Sequence, residues 1–111
     1  MKLFIRCVEG EVRLGPGKIR LLEMIGAHRS ISEAARAMDM SYRRAWLLVA
    51  DLNQSFSQPV TTTRTGGKGG GFAELTPFGF SLIARYRSIE REAEAAVAEQ
   101  LEALSAEIAR S

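Results

Sequence analysis

Leu3, Ile5 and Cys7 alternate with Phe4, Arg6 and Val8. A period of two in β-forming residues predicts a strand over 3–8. Glu9-Gly10 reads as a turn, and "EVRL" at 11–14 as a short return strand. The period then lengthens. Gly15-Pro16 opens a helix, because proline in the first turn withholds an N–H that would have no partner anyway. Ile19, Leu22, Met24 and Ile25 give this helix an apolar face as far as about Ala27. His28 follows as a surface residue, with no Cys or His companion at metal-ligand spacing.

"SISEAARAMDMSYRRAWLLVADLN", residues 30–53, holds two more helices. Ser30 with Glu33 three residues on is a capping box. Ile31, Ala34, Ala35 and Met38 form an inner face whose small alanines admit a close neighbour. Asp39-Met40 breaks the run. Ser41 caps a helix from Tyr42 to about Phe56, with Ala45, Leu48, Val49 and Leu52 turned inward and Tyr42, Arg43, Arg44 and Leu47 outward. Trp46 lies between the two faces and is expected to be partly buried, since tryptophan usually contributes apolar area. A short helix, a tight turn and a longer helix with a polar, aromatic and basic start make a helix-turn-helix. Such a second helix enters the DNA major groove, where arginine can donate two hydrogen bonds to guanine. Ser41 and the helix N-terminus can hold a phosphate.

The glycines of "TTTRTGGKGGGFAEL", residues 61–75, invite comparison with a phosphate-binding loop. A Walker loop needs a hydroxyl residue directly after its lysine, then a helix. Here Gly69 follows Lys68, and β-like residues lie on both sides. The glycines therefore join two strands, as the tip of a wing. Arg64 and Lys68 supply charge for a DNA backbone.

Thr76 and Pro77 cap and open a last helix over "PFGFSLIARYRSIEREAEAAVAEQLEALSAEIA". Its apolar positions are Leu82, Tyr86, Ile89, Ala93, Val97, Leu101, Leu104 and Ile108. The repeat of eleven residues at Tyr86, Val97 and Ile108 implies a nearly straight seam. So long a stripe calls for a partner helix, most simply a second copy across a two-fold axis.

Composition narrows the class. The chain of 111 residues is 46% hydrophobic and 25% charged, as a folded domain is. One cysteine fits a reducing compartment, the cytoplasm. No apolar run is long enough to span a bilayer, so no membrane partner is expected. Residues 1–76 carry 11 Lys/Arg against 7 Asp/Glu, whereas 77–111 carry 4 against 6. Charge therefore directs the first part toward an anionic partner. No paired carboxylates, nucleophile–base set or metal cluster points to an enzyme, and no cofactor is expected.

The segments "GPGKIRLLEMI", "SISEAARAMDMSYRRAWLLVADLN", "PVTTTRTGGKGGG" and "AELTPFGFSLIARYRSIE" together resemble the N-terminal DNA-binding domain of the molybdate-responsive ModE regulators. A more distant similarity is to the LysR-type winged helix-turn-helix. The resemblance implies that Ser41, Tyr42, Arg43 and Arg44 belong to the recognition helix and Lys68 to the wing. The full-length family also carries a C-terminal molybdate-binding domain. The sequence, ending at Ser111, has no counterpart to it, so a DNA-binding module without its own molybdate site is expected.

The fold expected is α+β and mostly helical. Residues 1–76 form a winged helix-turn-helix and 77–111 a C-terminal dimerisation helix. The expected function is that of a homodimeric transcriptional regulator on double-stranded DNA with an inverted-repeat operator. The alternative is a winged-helix protein-interaction module, which has no need of basic residues on both the helix and the wing.

Overall fold

The computed structural model describes residues 2–7, 12–64 and 72–109. Two short strands, β1 (Ile5–Cys7) and β2 (Val12–Leu14), form an antiparallel pair with Ile5 opposite Leu14 and Arg6 opposite Arg13. Three helices follow: α1 (Pro16–His28), α2 (Ile31–Ala37) and α3 (Tyr42–Ser55). Strands β3 (Thr61–Arg64) and β4 (Phe72–Leu75) make a second antiparallel pair, and α4 (Pro77–Ala106) follows them. The expected turn at Glu9-Gly10, the glycine tip and Lys68 lie outside the described residues.

The caps form where the sequence places them. Ser30 Oγ accepts from the Glu33 N–H at 3.1 Å, and Ser41 Oγ from that of Arg44 at 3.1 Å. The Glu33 carboxylate is taken by Arg36 at 3.1 Å. Thr76 does two jobs: its hydroxyl accepts from Gly79 N–H at 2.9 Å and donates to the Pro59 carbonyl at 2.7 Å. Satisfying the free N–H groups of a first turn is what fixes each helix start.

Helix α1 is central because it is apolar on two sides. Leu21 and Ile25 pack with Ile31, Ala34, Ala35, Ala45 and Val49 of the helix pair behind them. Ile19 and Leu22 pack with Leu14, Leu52, Val60, Leu82 and Tyr86. These side chains are all buried, and full burial of each Leu or Ile contributes about 1.5–3 kcal/mol relative to exposure.

Helix α4 joins this second cluster by its first turns only. Arg87 fixes it to α1 by donating to both Glu23 oxygens, at 2.7 and 3.2 Å, and to Glu90 at 3.0 Å. Those carboxylates hold the guanidinium above its already high ordinary pKa. The Tyr86 hydroxyl donates to the Leu3 carbonyl, which ties the long helix to the N-terminal hairpin.

The long stripe is thus divided. Leu82 and Tyr86, expected in a pairing seam, are buried in the chain's own core. Ile89, Val97, Leu101 and Leu104 remain exposed, and so does Ile108, which lies past the helix end at Ala106. The distal part of α4 projects from the body and stretches the molecule to 58 × 33 × 22 Å.

Candidate nucleic-acid interface

The turn between α2 and α3 is made by Met38 and Asp39, the latter in the left-handed region at φ 54°. The Met40 N–H returns to the Ala35 carbonyl at 3.0 Å. Ala45, Val49 and Leu52 fix one side of α3 in the core. The other side faces out, with Ser41, Tyr42, Arg43, Arg44 and Leu47 all exposed.

Trp46 does not behave as its size suggests. It is 51% exposed and shares the outer face with Tyr42, four residues earlier. On a helix, residues four apart are neighbours on one surface. The spacing to Tyr42 was the available signal, and it outweighs the general tendency of tryptophan to be covered.

Arg43 and Arg44 have no carboxylate partner among the described residues. They present unpaired guanidinium groups beside two aromatic rings. Ser41 uses its hydroxyl to cap α3, which fixes the angle at which this face begins.

The second pair of strands is tied to α3 by Asn53. Its side-chain oxygen accepts from Val60 N–H at 2.8 Å, and its amide donates to Thr61 Oγ1 at 3.3 Å. Arg29 ties the other strand to α1. Its carbonyl accepts from Ala73 N–H at 3.0 Å, and its guanidinium binds Glu74 and lies 5.9 Å from the centre of the Phe72 ring. Arg64 stands opposite Phe72 and lies 5.7 Å from the same ring. Arg64 therefore sits exposed at the outer end of β3, on a hairpin whose base is fixed to both neighbouring helices.

Helix, turn, helix and attached hairpin define a winged helix-turn-helix. The chain is 45% identical over 91 residues to the molybdenum-pterin-binding protein MopB of Rhodobacter capsulatus, covering 77% of this chain and 34% of that protein. It is 36% identical over 84 residues to the molybdenum transport protein ModE of Azotobacter vinelandii, covering 76% and 31%. To the DNA-binding transcriptional dual regulator ModE of Escherichia coli it is 41% identical over 71 residues, covering 64% and 27%. No family model matches the chain. The chain is thus similar to ModE and Mop proteins over most of its length, consistent with the ModE-type N-terminal domain. It spans about a third of the length of the curated relatives it matches.

Among the described residues, no group of three or more His, Cys, Asp or Glu could hold a metal ion. No described helix is long and apolar enough to cross a membrane.

Proposed function

We propose that this chain is a ModE-like DNA-binding module of a transcriptional regulator, acting in the cytoplasm. Helix α3 enters the major groove, Arg43 and Arg44 donate to base edges, and Tyr42, Trp46 and Leu47 supply apolar contact. Thymine methyl groups fit that surface. Arg64 and the glycine-rich tip with Lys68 lie along the phosphate backbone. The regulator names of the ModE relatives support this reading.

The observation that carries it is the outer face of α3. Two unpaired arginines and two exposed aromatic rings sit on a helix held in the core by three buried side chains. A surface of that kind matches a polyanion with apolar base edges.

The module works as a two-fold dimer. Residues 1–76 form the reading unit, and 77–111 supply the pairing helix, whose first turns are seated in the body. Ile89, Val97, Leu101, Leu104 and Ile108 form the seam with a second copy. Two recognition helices related in this way suit an inverted repeat with half-sites about 34–36 Å apart.

Titration of duplex DNA at several salt concentrations tests the reading. Affinity is expected to fall with a log–log slope near −0.9 per phosphate contacted. Absence of duplex binding at low salt would favour the protein-interaction module instead.

A further inference from the structure

We propose that the β1–β2 hairpin is a second backbone clamp, in which Arg6 and Arg13 hold phosphates of the duplex beside the groove that α3 enters. This rests on the DNA-binding reading above and adds a contact surface outside the helix and the wing.

Arg6 and Arg13 are direct cross-strand partners, and both are exposed. Like charges opposite one another weaken a strand pair. Neither guanidinium has a carboxylate partner among the described residues. The opposition thus weakens the strand pair, and an anion lying across both guanidinium groups would relieve it.

The pair is held firmly. Leu14 is buried in the core, and the Leu3 carbonyl is bound by the Tyr86 hydroxyl. Lys18 donates to the Arg13 carbonyl at 3.0 Å and to Asp51 of α3 at 2.7 Å, so one lysine joins hairpin, α1 and recognition helix. The Phe4 ring lies so close to Gly15 that a β-carbon there would come within 2.8 Å of it. The two arginines are therefore positioned by the body rather than carried on a loose arm.

Between hairpin and α3 runs a groove of about 570 Å³ that reaches Phe4, Arg6, Arg13, Lys18, Met40 and Arg44. Among the described residues, no carboxylate lines it. Asp51 pairs with Lys18, which leaves Arg6, Arg13 and Arg44 without a carboxylate partner among the described residues. A neighbouring hollow shares Lys18 and Arg44 and extends to Ser41 and Arg43 at the start of α3, with the Lys18-paired Asp51 as its one carboxylate among the described residues. A continuous basic path thus leads from the hairpin to the base-reading face. A small anion would occupy one end of it, whereas a run of phosphates fits its whole length. Closely spaced charge is the property of duplex DNA that counterion release rewards.

The test compares native protein with two double variants, Arg6→Gln/Arg13→Gln and Arg6→Lys/Arg13→Lys, by anisotropy of a labelled duplex between 50 and 200 mM salt. The Gln pair is expected to flatten the log–log slope by about 1.8 per bound chain, two contacts at about 0.9 each. Its deficit against native protein then shrinks about tenfold across that range, by the same slope. Preference among duplex sequences stays unchanged, and the Lys pair restores the slope. A Gln pair with the native slope overturns the clamp and leaves the DNA reading standing, provided native binding is itself salt-dependent. Native protein that binds no duplex overturns both. Hydroxyl-radical footprinting of native protein gives an arm that needs no variant. Protection of flanking sugars beyond the base pairs under α3 and the wing is expected, and a footprint confined to those base pairs overturns the clamp.

Discussion

Gly79, in the first turn of α4, lies against the carbonyl of Val60: a β-carbon at position 79 would come within 2.2 Å of that oxygen. The same carbonyl accepts the Thr76 N–H at 3.0 Å. The start of the long helix and the strand leading into the wing are therefore in backbone contact, and only glycine permits it. Gly79→Ala is expected to destabilise the fold by about 1–3 kcal/mol, as forced overpacking does. Gly26→Ala is the control. Its β-carbon would meet the terminal Leu75 Cδ1 at 2.8 Å, an atom that can turn aside, and alanine gains about 1 kcal/mol in helix propensity. Urea unfolding should show a clear loss for the first variant and little or none for the second.

Tyr86 makes the fold sensitive to alkali. Burial, followed by the nearby Glu90 carboxylate, raises its pKa above the ordinary value of 10.0, with Arg87 acting in the opposite sense. The folded chain thus holds the phenolic proton more tightly than the unfolded one. That contribution is fully present below pH 10 and is lost as pH rises through the raised value. Tyr86→Phe should be less stable near neutrality by about 0.5–1.5 kcal/mol for the lost hydrogen bond, but should lack this alkaline decline. Thermal melts from pH 8 to 11.5 check both effects. Parallel curves for the two proteins would remove Tyr86 as the cause.

Trp46 is the one tryptophan of the chain, and it lies on the proposed reading face. Its emission should therefore change when duplex DNA binds and follow the same isotherm as an anisotropy titration. Emission unchanged at saturating duplex would show that α3 does not carry the contact.

Arg43→Ala or Arg44→Ala is expected to cost about 1–3 kcal/mol on the preferred site and to relax base choice there. Lys68→Ala should weaken every duplex alike. A panel of single-base-pair variants separates these patterns.

Leu101→Glu with Leu104→Glu would put like charges into the proposed pairing seam. Both positions lie on the part of α4 that touches no core cluster, so the winged helix should stay folded while the dimer weakens. Light scattering with circular dichroism is the measurement. A double variant that pairs as well as native protein would exclude the distal helix from the interface.

Much of the fold is legible because its signals are local. Ser30, Ser41 and Thr76-Pro77 mark three helix starts by side-chain chemistry that acts within one turn. The outward set Tyr42, Arg43, Arg44 and Leu47 follows from the spacing of Ala45, Val49 and Leu52 alone. What was not legible depends on which element covers which. The stripe from Leu82 to Ile108 is continuous in sequence, yet the body covers Leu82 and Tyr86 and leaves the rest. Periodicity identifies an apolar face, and only the docking of α1 on α4 decides where it passes from core to surface. The exposure of Trp46 runs against a residue-type tendency, and its spacing from Tyr42 is what points outward. The opposition of Arg6 and Arg13 was within reach, since both are equally distant from the turn expected at Glu9-Gly10.

The bond from Tyr86 to Leu3 spans 83 positions of the chain, and this has a consequence for synthesis. Helices α1, α2 and α3 can pack as soon as they emerge, because their contacts are short-range. The N-terminal hairpin cannot gain its hold on α4 until that helix has been made. At ribosomal speeds of about 5–20 residues per second, the delay is roughly 4–17 seconds. Through that interval Leu3 and Leu14 lack the partner that covers them last.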